Sequence, residues 1–349
     1  MLQSFLDSHP EILQIPTIFK FFDFYNFLKE KEIPFEKKYI SKAFVEFKGH
    51  EALFDSDKSI HLRNRLGENK NESIKVSKKK FIENFESLRT YNIKDPRELL
   101  ISLHLAYDNA WRNSKNDHQK VLLMHLHHGD WLNPEKLIEK YNLSTVSNNY
   151  LQSLMPDKIL FAIRNPLDCL KSVEKIAYSN SQLCAQEQYE IYMRLLVQDW
   201  LRLQAFHRRG LKIKVIKLEE LRLNQEKIIS CIADWLNISG ASQSLNKITL
   251  FGLPWWGDFY SRTTASLHPP EPPILPNSNN PDHVFVYSLI SEQILRQGYP
   301  LLESSDMHNR FSQMHRLEPP NYLWHTSKSD WEKIIETRKD FRERVLNNG

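Results

Sequence analysis

The sequence predicts an α/β fold in which helices cover both faces of a parallel sheet, in three layers. The first observation is an alternation of apolar strand patterns and helical patterns from residue 121 onward. The second is Arg164, which stands at the end of one such strand and is followed at once by a helix-start signal. The third is glycine content, because nine scattered glycines in 349 residues allow neither GxGxxG nor GxxxxGK[ST] to be written. We therefore expect an α/β fold without a complete dinucleotide fingerprint or Walker loop.

The part of the chain before residue 121 has mainly helical patterns. Leu2, Phe5 and Leu6 give a short apolar face that Asp7-Ser8-His9-Pro10 ends. Residues 17–31 predict an amphipathic, aromatic-rich helix, and residues 96–112 predict another that Asp95-Pro96 opens. The polar and basic stretch 50–80 is typical of a loop or cap.

The rest of the chain alternates strands with helices, as a parallel sheet with helical connections requires. The predicted strands are residues 121–126, 158–163 and 212–218. The predicted helices lie around residues 134–141, 166 onward, 186–208, 224–236, 283–297 and 328–345. A proline-rich stretch begins after residue 265 and indicates a stiff connector or lid. We therefore expect an α/β domain over residues 1–265, with residues 266–349 forming a connector and terminal helices packed on the same domain.

Composition excludes several functional classes. A net charge of +4 suits an anionic small molecule but is too weak and dispersed to indicate nucleic acid. No apolar run is long enough to span a membrane, and no signal peptide is visible. The three cysteines have no metal-ligand spacing, which favours a reducing, cytoplasmic location. Cys169 and Cys231 fall in apolar-periodic stretches, so both are predicted to be buried.

The segment Ile163 to Ser172, IRNPLDCLKS, carries the most specific chemistry. In open α/β sheets, ligands bind beyond the carboxyl ends of strands, where Arg164 stands. Asn165 suits an N-cap and Pro166 the first helical position, with Asp168 at the third, so free N–H groups would face an anion. Arg164 can grip a phosphate with two hydrogen bonds, and the Ser172 hydroxyl can add another. The alternative is that Arg164 pairs with a carboxylate and Ser172 has no role.

Four segments, in register, resemble the sulfotransferase family, enzymes that use the donor 3′-phosphoadenosine 5′-phosphosulfate (PAPS). RNPLDCLKS resembles the family's 3′-phosphate-binding segment, and LQSFLDSHPEILQIP is similar to the segment that follows its 5′-phosphosulfate loop. KIKVIKLEEL with ADWLNI, and TLFGLPWWGD, resemble later blocks of bacterial members. The likeness covers roughly residues 1–260 and implies the P-loop NTPase-like sulfotransferase fold.

The resemblance also implies a site and a departure from the family. Arg164 and Ser172 would hold the 3′-phosphate of PAPS, and Arg262 could approach the same group, with no metal required. The family's strand and RSGTT-type loop, which wrap the 5′-phosphosulfate, would precede Met1. The expected reaction transfers a sulfuryl group to a hydroxyl of a small molecule or carbohydrate. The alternative is a truncated or degenerate homologue without activity.

The resemblance implies a base for the acceptor hydroxyl near the end of the strand that precedes the Arg164 strand. His125, His127 and His128 stand there; His127 is the first candidate and His128 the second. Because some relatives use a glutamate, Glu11 is kept in reserve.

Other residues have structural interpretations. Trp255 and Trp256 favour core packing over stacking on adenine, and Glu219 and Glu220 are predicted to anchor the structure. The basic residues of 63–80 are interpreted as a solvated face rather than a site for an anionic acceptor. A P-loop kinase is a weaker alternative, since no GK[ST] is present and the spacing from Arg164 to Ser172 favours a 3′-phosphate.

Overall fold

The structure of the chain is a computed structural model. It describes residues 2–7, 9–59, 62–88, 93–112, 119–125, 154, 156–179, 185–208, 210–239, 248–257, 272–277 and 280–300.

Helices and parallel strands alternate in the described residues, as in an α/β protein. The helices are α1 (Leu2–Phe5), α2 (Phe21–Glu30), α3 (Lys37–Glu46), α4 (Glu51–Phe54), α5 (Lys78–Ser87), α6 (Pro96–Arg112), α7 (Pro166–Ser179), α8 (Ala185–Arg208), α9 (Leu218–Leu223), α10 (Gln225–Leu236) and α11 (Pro281–Arg296). The strands are β1 (Ile12–Gln14), β2 (Val121–Leu123), β3 (Ile159–Ile163), β4 (Ile213–Lys217), β5 (Thr249–Leu250) and β6 (Leu253–Pro254). Short 3₁₀ turns occupy Lys48–His50 and Ser56–Lys58.

The strongest periodic patterns predicted their elements well. The helices expected at 96–112, 186–208, 224–236 and 283–297 are confirmed as α6, α8, α10 and α11. The expected strands are confirmed as β2, β3 and β4. The helices expected around 134–141 and 328–345 lie outside the described residues.

Four helices, α3, α4, α5 and α9, were not predicted from the sequence. Their charged residues obscure the pattern: α5 begins KKK, yet Phe81 and Phe85 are fully buried one turn apart. The Ser77 hydroxyl accepts a hydrogen bond from the Lys80 amide at 3.2 Å and so caps α5. The stretch 50–80 is therefore largely non-helical as expected, but it contains α4 and the start of α5.

Both main strand pairs are parallel, as the sequence predicted. β1 pairs with β2, with Ile12 opposite Val121, and β3 pairs with β4, with Ile163 opposite Lys217. In the described part of the chain each of these sheets has two strands, so one edge of β3 carries no further strand. A single sheet covered by helices on both faces stays a prediction.

The chain divides into two compact units. The first lies within Met1–His127, Leu137–Asp157 and Glu220–Pro269, and the second within His128–Lys136, Lys158–Glu219 and Pro270–Gly349. The expected boundary between residues 265 and 266 is not tested by this division and stays a prediction.

Aromatic side chains dominate the core of the first unit. The Phe44 ring stacks on the Phe81 ring, with ring centroids 4.7 Å apart, and its centroid lies 4.2 Å from that of the buried His50 ring. His104, from α6, contacts the same group through Phe19. The aromatic side chains predicted on residues 17–31 thus serve packing, because offset and edge-to-face ring pairs fill this core.

A buried carboxylate, Asp7, joins the N-terminal segment of the first unit to its last hairpin. Asp7 Oδ2 accepts hydrogen bonds from the Thr249 hydroxyl at 2.9 Å and from the Gly252 amide at 2.7 Å. Asp7 Oδ1 accepts one from the Gln14 side chain at 3.0 Å. Two of the segments on which the resemblance rests, LDSHPEI and TLFGLPWWGD, are therefore in direct contact.

The hairpin of β5 and β6 turns within two residues that both have left-handed backbone angles. Phe251 has φ 55° and Gly252 has φ 71°, which is the pattern of a type I′ turn. A side chain is strained at such an angle, yet Phe251 is buried and packs edge-on against Trp111 at 5.5 Å. Packing and the Asp7 hydrogen bonds hold the turn.

The second unit has its own hydrophobic core against the β3–β4 pair. Helices α7, α8 and α11 supply it, with Trp200 and Tyr287 as its largest members. Phe161 of β3 and Val215 of β4 pack against this cluster. The core therefore fixes the strand whose carboxyl end carries Arg164.

The burial of two cysteines corrects the expectation for them. Cys231 is exposed and Cys169 is half-buried, whereas both were predicted to be buried. The buried stripe of α10 runs through Ile229, Ile232 and Ala233, and Cys231 lies about 200° around the helix from Ile229. The apolar neighbours of a cysteine do not fix which helical face it occupies.

Candidate functional site

The candidate site begins where β3 ends and α7 starts. Pro166 is the first residue of α7, so Asp168 is the third, as predicted. The Asn165 side-chain oxygen accepts hydrogen bonds from the Leu167 amide at 2.9 Å and the Asp168 amide at 3.4 Å. The predicted N-cap is therefore confirmed.

The same contacts correct the expectation of free donors at this helix start. Pro166 has no N–H group, and the cap already occupies the amides of Leu167 and Asp168. Any anion here would depend on side chains and on the helix dipole rather than on these amides.

Arg164 is half-buried and immediately precedes the capping residue. Among the residues that the structure describes, its guanidinium makes no hydrogen bond and no salt bridge. The alternative in which Arg164 pairs with a carboxylate is thus not observed there. Ser172 is half-buried on α7, one turn beyond Asp168 on the same face.

A glutamate from the neighbouring strand end fixes the backbone beside Arg164. Glu219 Oε1 accepts a hydrogen bond from the Asn165 amide at 2.6 Å, and its Oε2 accepts one from the Tyr299 hydroxyl at 2.9 Å. The parallel register explains the meeting, because Lys217 lies opposite Ile163 and Glu219 follows two residues later. Glu219 was predicted as a structural anchor, and these bonds confirm it.

The proline-rich connector is attached to the same helix start. The Ile274 amide donates to Asp168 Oδ1 at 3.2 Å, and its carbonyl accepts from the Asn165 side chain at 3.5 Å. The Ile274 side chain also packs against the core of the second unit, whereas Leu275 is exposed. Ile274 is thus an anchoring residue of the described stretch 272–277.

The electrostatic surroundings of this corner are mixed in sign. Loss of contact with solvent raises the pKa of the Cys169 thiol. The Arg164 guanidinium opposes this effect, and the Glu219 and Asp168 carboxylates add to it. Burial likewise raises the pKa of Tyr287 to about 12, with Asp168 adding to the effect. The Arg164 guanidinium and the neighbouring carboxylates therefore act in opposite directions on the Cys169 thiol.

Glu11 is placed where it makes a poor base. Its carboxylate receives a hydrogen bond from Lys120 Nζ at 2.6 Å and another from the Ser239 amide. The Lys120 bond, followed by that of Ser239, lowers the pKa of Glu11 to about 2. A carboxylate that is held ionised by two donors has little tendency to take a proton at neutral pH.

His127, His128 and Arg262 lie outside the described residues. His125 is half-buried, two residues beyond the end of β2. These assignments stay predictions.

Trp256 makes structural contacts both through its indole N–H group and through the face of its ring. Its indole N–H donates to the Gly67 carbonyl at 2.7 Å, and Lys70 Nζ lies 4.3 Å from the ring centroid. Its backbone amide donates to the Arg65 carbonyl. These contacts fit the structural interpretation of Trp256 and tie it to the basic stretch 63–80.

Sequence reasoning missed Tyr299 and Ile274 as parts of this site. Neither belongs to a motif, and both lie more than one hundred residues after Arg164. The proline-rich stretch was the one signal available, since a stiff segment needs an anchor.

Two features are absent from the described residues. No helix in that part of the chain has the length and hydropathy needed to cross a bilayer. In the same residues no group of three or more His, Cys, Asp and Glu side chains is arranged to hold a metal ion.

Comparison with known proteins gives one similar solved structure, the sulfotransferase domain from the curacin biosynthetic pathway. It is 12% identical in sequence, with a TM-score of 0.42 over 86% of this chain and 93% of that one. No family model matches the chain, and no curated protein matches it. What the chain does is therefore inferred from its own residues.

Proposed function

We propose that the chain is a sulfotransferase that moves a sulfuryl group from PAPS to a hydroxyl of a small molecule or carbohydrate. The observation that carries the proposal is Arg164, a half-buried guanidinium at the carboxyl end of a parallel strand. It has no hydrogen-bond or ion-pair partner in the described part of the chain. An unpaired, partly desolvated guanidinium at this place in an α/β fold suits a phosphate, which it can bind through two hydrogen bonds.

Arg164 would bind the 3′-phosphate of PAPS, with Ser172 donating a hydrogen bond and Arg262 as a further cation. When bound, PAPS supplies the sulfuryl group and a stable nucleotide leaving group. The chain would orient the donor through Arg164 and place a base beside the acceptor hydroxyl, from which His127 or His128 would take the proton. The residues at the site fit this only in part, because the capping Asn165 occupies the first backbone donors of α7.

The test is a calorimetric titration with 3′-phosphoadenosine 5′-phosphate. We expect Arg164→Lys to weaken binding about ten-fold or more, because lysine keeps the charge but loses the paired donors, and Arg164→Ala to weaken it further while leaving a measurable affinity. The control is Lys227→Ala, which removes an exposed cation of α10. Equal binding by the wild type and Arg164→Ala would refute the assignment.

A second candidate is a binding protein of the same fold without transfer activity. The occupied donors at the start of α7 favour it, since fewer groups remain to hold a charged donor. The two are distinguished by assaying transfer of sulfuryl from PAPS to a panel of hydroxyl acceptors. Binding that depends on Arg164, without transfer to any acceptor and with His127→Ala unchanged, would favour the second candidate.

A further inference from the structure

The carboxylate of Glu219 is held at both oxygens by neutral donors and has no cation bonded to it in the described residues. One donor is the backbone amide of Asn165, at 2.6 Å, and the other is the hydroxyl of Tyr299, at 2.9 Å. A carboxylate hydrogen bond of this length is strong, because the acceptor is charged. The arrangement fixes the peptide group that joins Arg164 to Asn165.

The remaining groups of Asn165 are also occupied. Its carbonyl accepts from the Cys169 amide, and its side chain caps α7 and reaches the Ile274 carbonyl. Asn165 has no exposed surface. The backbone on the carboxyl side of Arg164 is therefore held by several hydrogen bonds, and within the Arg164-Asn165 pair the guanidinium is the group left for a ligand.

Tyr299 fixes Glu219 in turn. Its ring lies edge-on to the buried Trp200, with centroids 6.0 Å apart, and Lys217 Nζ lies 5.1 Å from the ring centroid. Trp200 belongs to the core of the second unit, so the hydroxyl is held by packing rather than by a mobile loop. A continuous chain of contacts runs from this core through Tyr299 and Glu219 to the peptide beside Arg164.

We propose that Glu219 is a positioning residue that aims Arg164 at the phosphate, and that Tyr299 holds Glu219 in place. This inference rests on the proposed function for its ligand, but the geometry it concerns is independent of any ligand. Glu219 does not act as the ion-pair partner of Arg164, since both of its oxygens are engaged elsewhere. It acts through the backbone, so the effect of removing it must pass through Arg164.

The experiment compares four variants by titration with 3′-phosphoadenosine 5′-phosphate and by thermal midpoint. We expect Glu219→Ala to raise the Kd at least about ten-fold, and Tyr299→Phe to raise it less. Glu219→Gln should rescue binding to within about three-fold, because its amide oxygen still accepts from Asn165. Glu220→Ala, an exposed glutamate on the same short helix, is the control and should bind as the wild type does.

A double-mutant cycle separates positioning from general loosening of the fold. In an Arg164→Ala background, Glu219→Ala should cause no further loss of the residual affinity, because the group that it positions is gone. An equal loss in both backgrounds, or unchanged binding by Glu219→Ala, would overturn the proposal. If Glu219→Ala does not fold, the same cycle with Tyr299→Phe decides.

Amide hydrogen exchange tests the positioning role of Glu219 without any ligand. Exchange at Asn165 should be at least about ten-fold faster in Glu219→Ala and near wild-type in Glu219→Gln. Unchanged exchange in Glu219→Ala overturns the positioning role. Failure of the wild type to bind the nucleotide would instead refute the proposed function, and the exchange rates would still decide the inference.

Discussion

Two histidines are buried in the aromatic core of the first unit. His50 has no exposed surface, and its Nδ1 lies 3.1 Å from the Phe44 carbonyl oxygen. His104 Nδ1 lies 2.8 Å from the Leu100 carbonyl oxygen. Burial lowers the pKa of His50 to about 3 and that of His104 to about 4. Both rings are therefore neutral in the folded protein over a range in which an unfolded histidine is charged.

The consequence is a loss of stability in mild acid. Because the folded pKa values lie below the unfolded value near 6.5, the unfolded chain binds more protons as the pH falls from 6.5 towards 4. Two such groups make the free energy of unfolding fall by about 2.7 kcal/mol for each pH unit of acidification near pH 5. We expect His104→Leu to lower this slope by about half, because one of the two protons taken up on unfolding is lost. Denaturant unfolding between pH 7 and pH 4.5 measures the slope. An unchanged slope would mean that His104 is protonated in the folded state.

At the scale of elements, the hairpin of β5 and β6 depends on a residue almost 250 positions earlier in the chain. Asp7 accepts from Thr249 and Gly252, and these bonds hold a turn in which Phe251 adopts a strained left-handed angle. A buried carboxylate that accepts several hydrogen bonds leaves its donors unsatisfied when it is removed.

We expect Asp7→Ala to lower the free energy of unfolding by about 3 kcal/mol or more. Thr249→Val removes a single hydrogen bond at nearly constant volume and should cost about 1 kcal/mol. Urea denaturation at neutral pH measures both. Equal losses in the two variants would contradict the view that Asp7 is shared between the hairpin and the N-terminal segment.

The same scale shows what the sequence could and could not predict. Helix α6 was predicted to the residue because Asp95 caps it and its apolar period is regular; the Asp95 side chain accepts from the amides of Arg97 and Glu98. Strand β1 was missed because three residues are too few to show a period, and its partner β2 is distant in sequence.

The candidate site likewise has a part that the sequence predicted and a part that it did not. Its local part, from Arg164 to Asp168, could be read from the sequence, because a cap and a proline at fixed spacing carry local information. Its non-local part could not, because the bonds of Glu219 to Asn165 and Tyr299 depend on strand register and helix packing.

At the scale of the whole molecule, β3 is an apolar strand with one unpaired edge among the described residues. Its side chains are mostly half-buried, and Ala162 is exposed, whereas parallel strands are usually covered on both faces. Such an edge is a template for pairing with another chain.

We expect Ala162→Lys to reduce any concentration-dependent self-association of the chain, because an edge lysine opposes strand addition. Light scattering over a concentration series measures the effect, with Ala162→Ser as the size-matched control. The thermal midpoint should change little, since the side chain is already exposed. Equal association by the lysine and serine variants would show that β3 is not the contact.

The first unit is also discontinuous along the chain, and this affects how it forms during synthesis. Its helices α1 to α6 leave the ribosome early, but the donors for Asp7 belong to Thr249 and Gly252. At ordinary elongation rates this leaves roughly 10–50 s between the appearance of Asp7 and that of its partners. For that interval the Asp7 carboxylate lacks its two hairpin donors, so this part of the first unit is completed only after residue 252 has been synthesised.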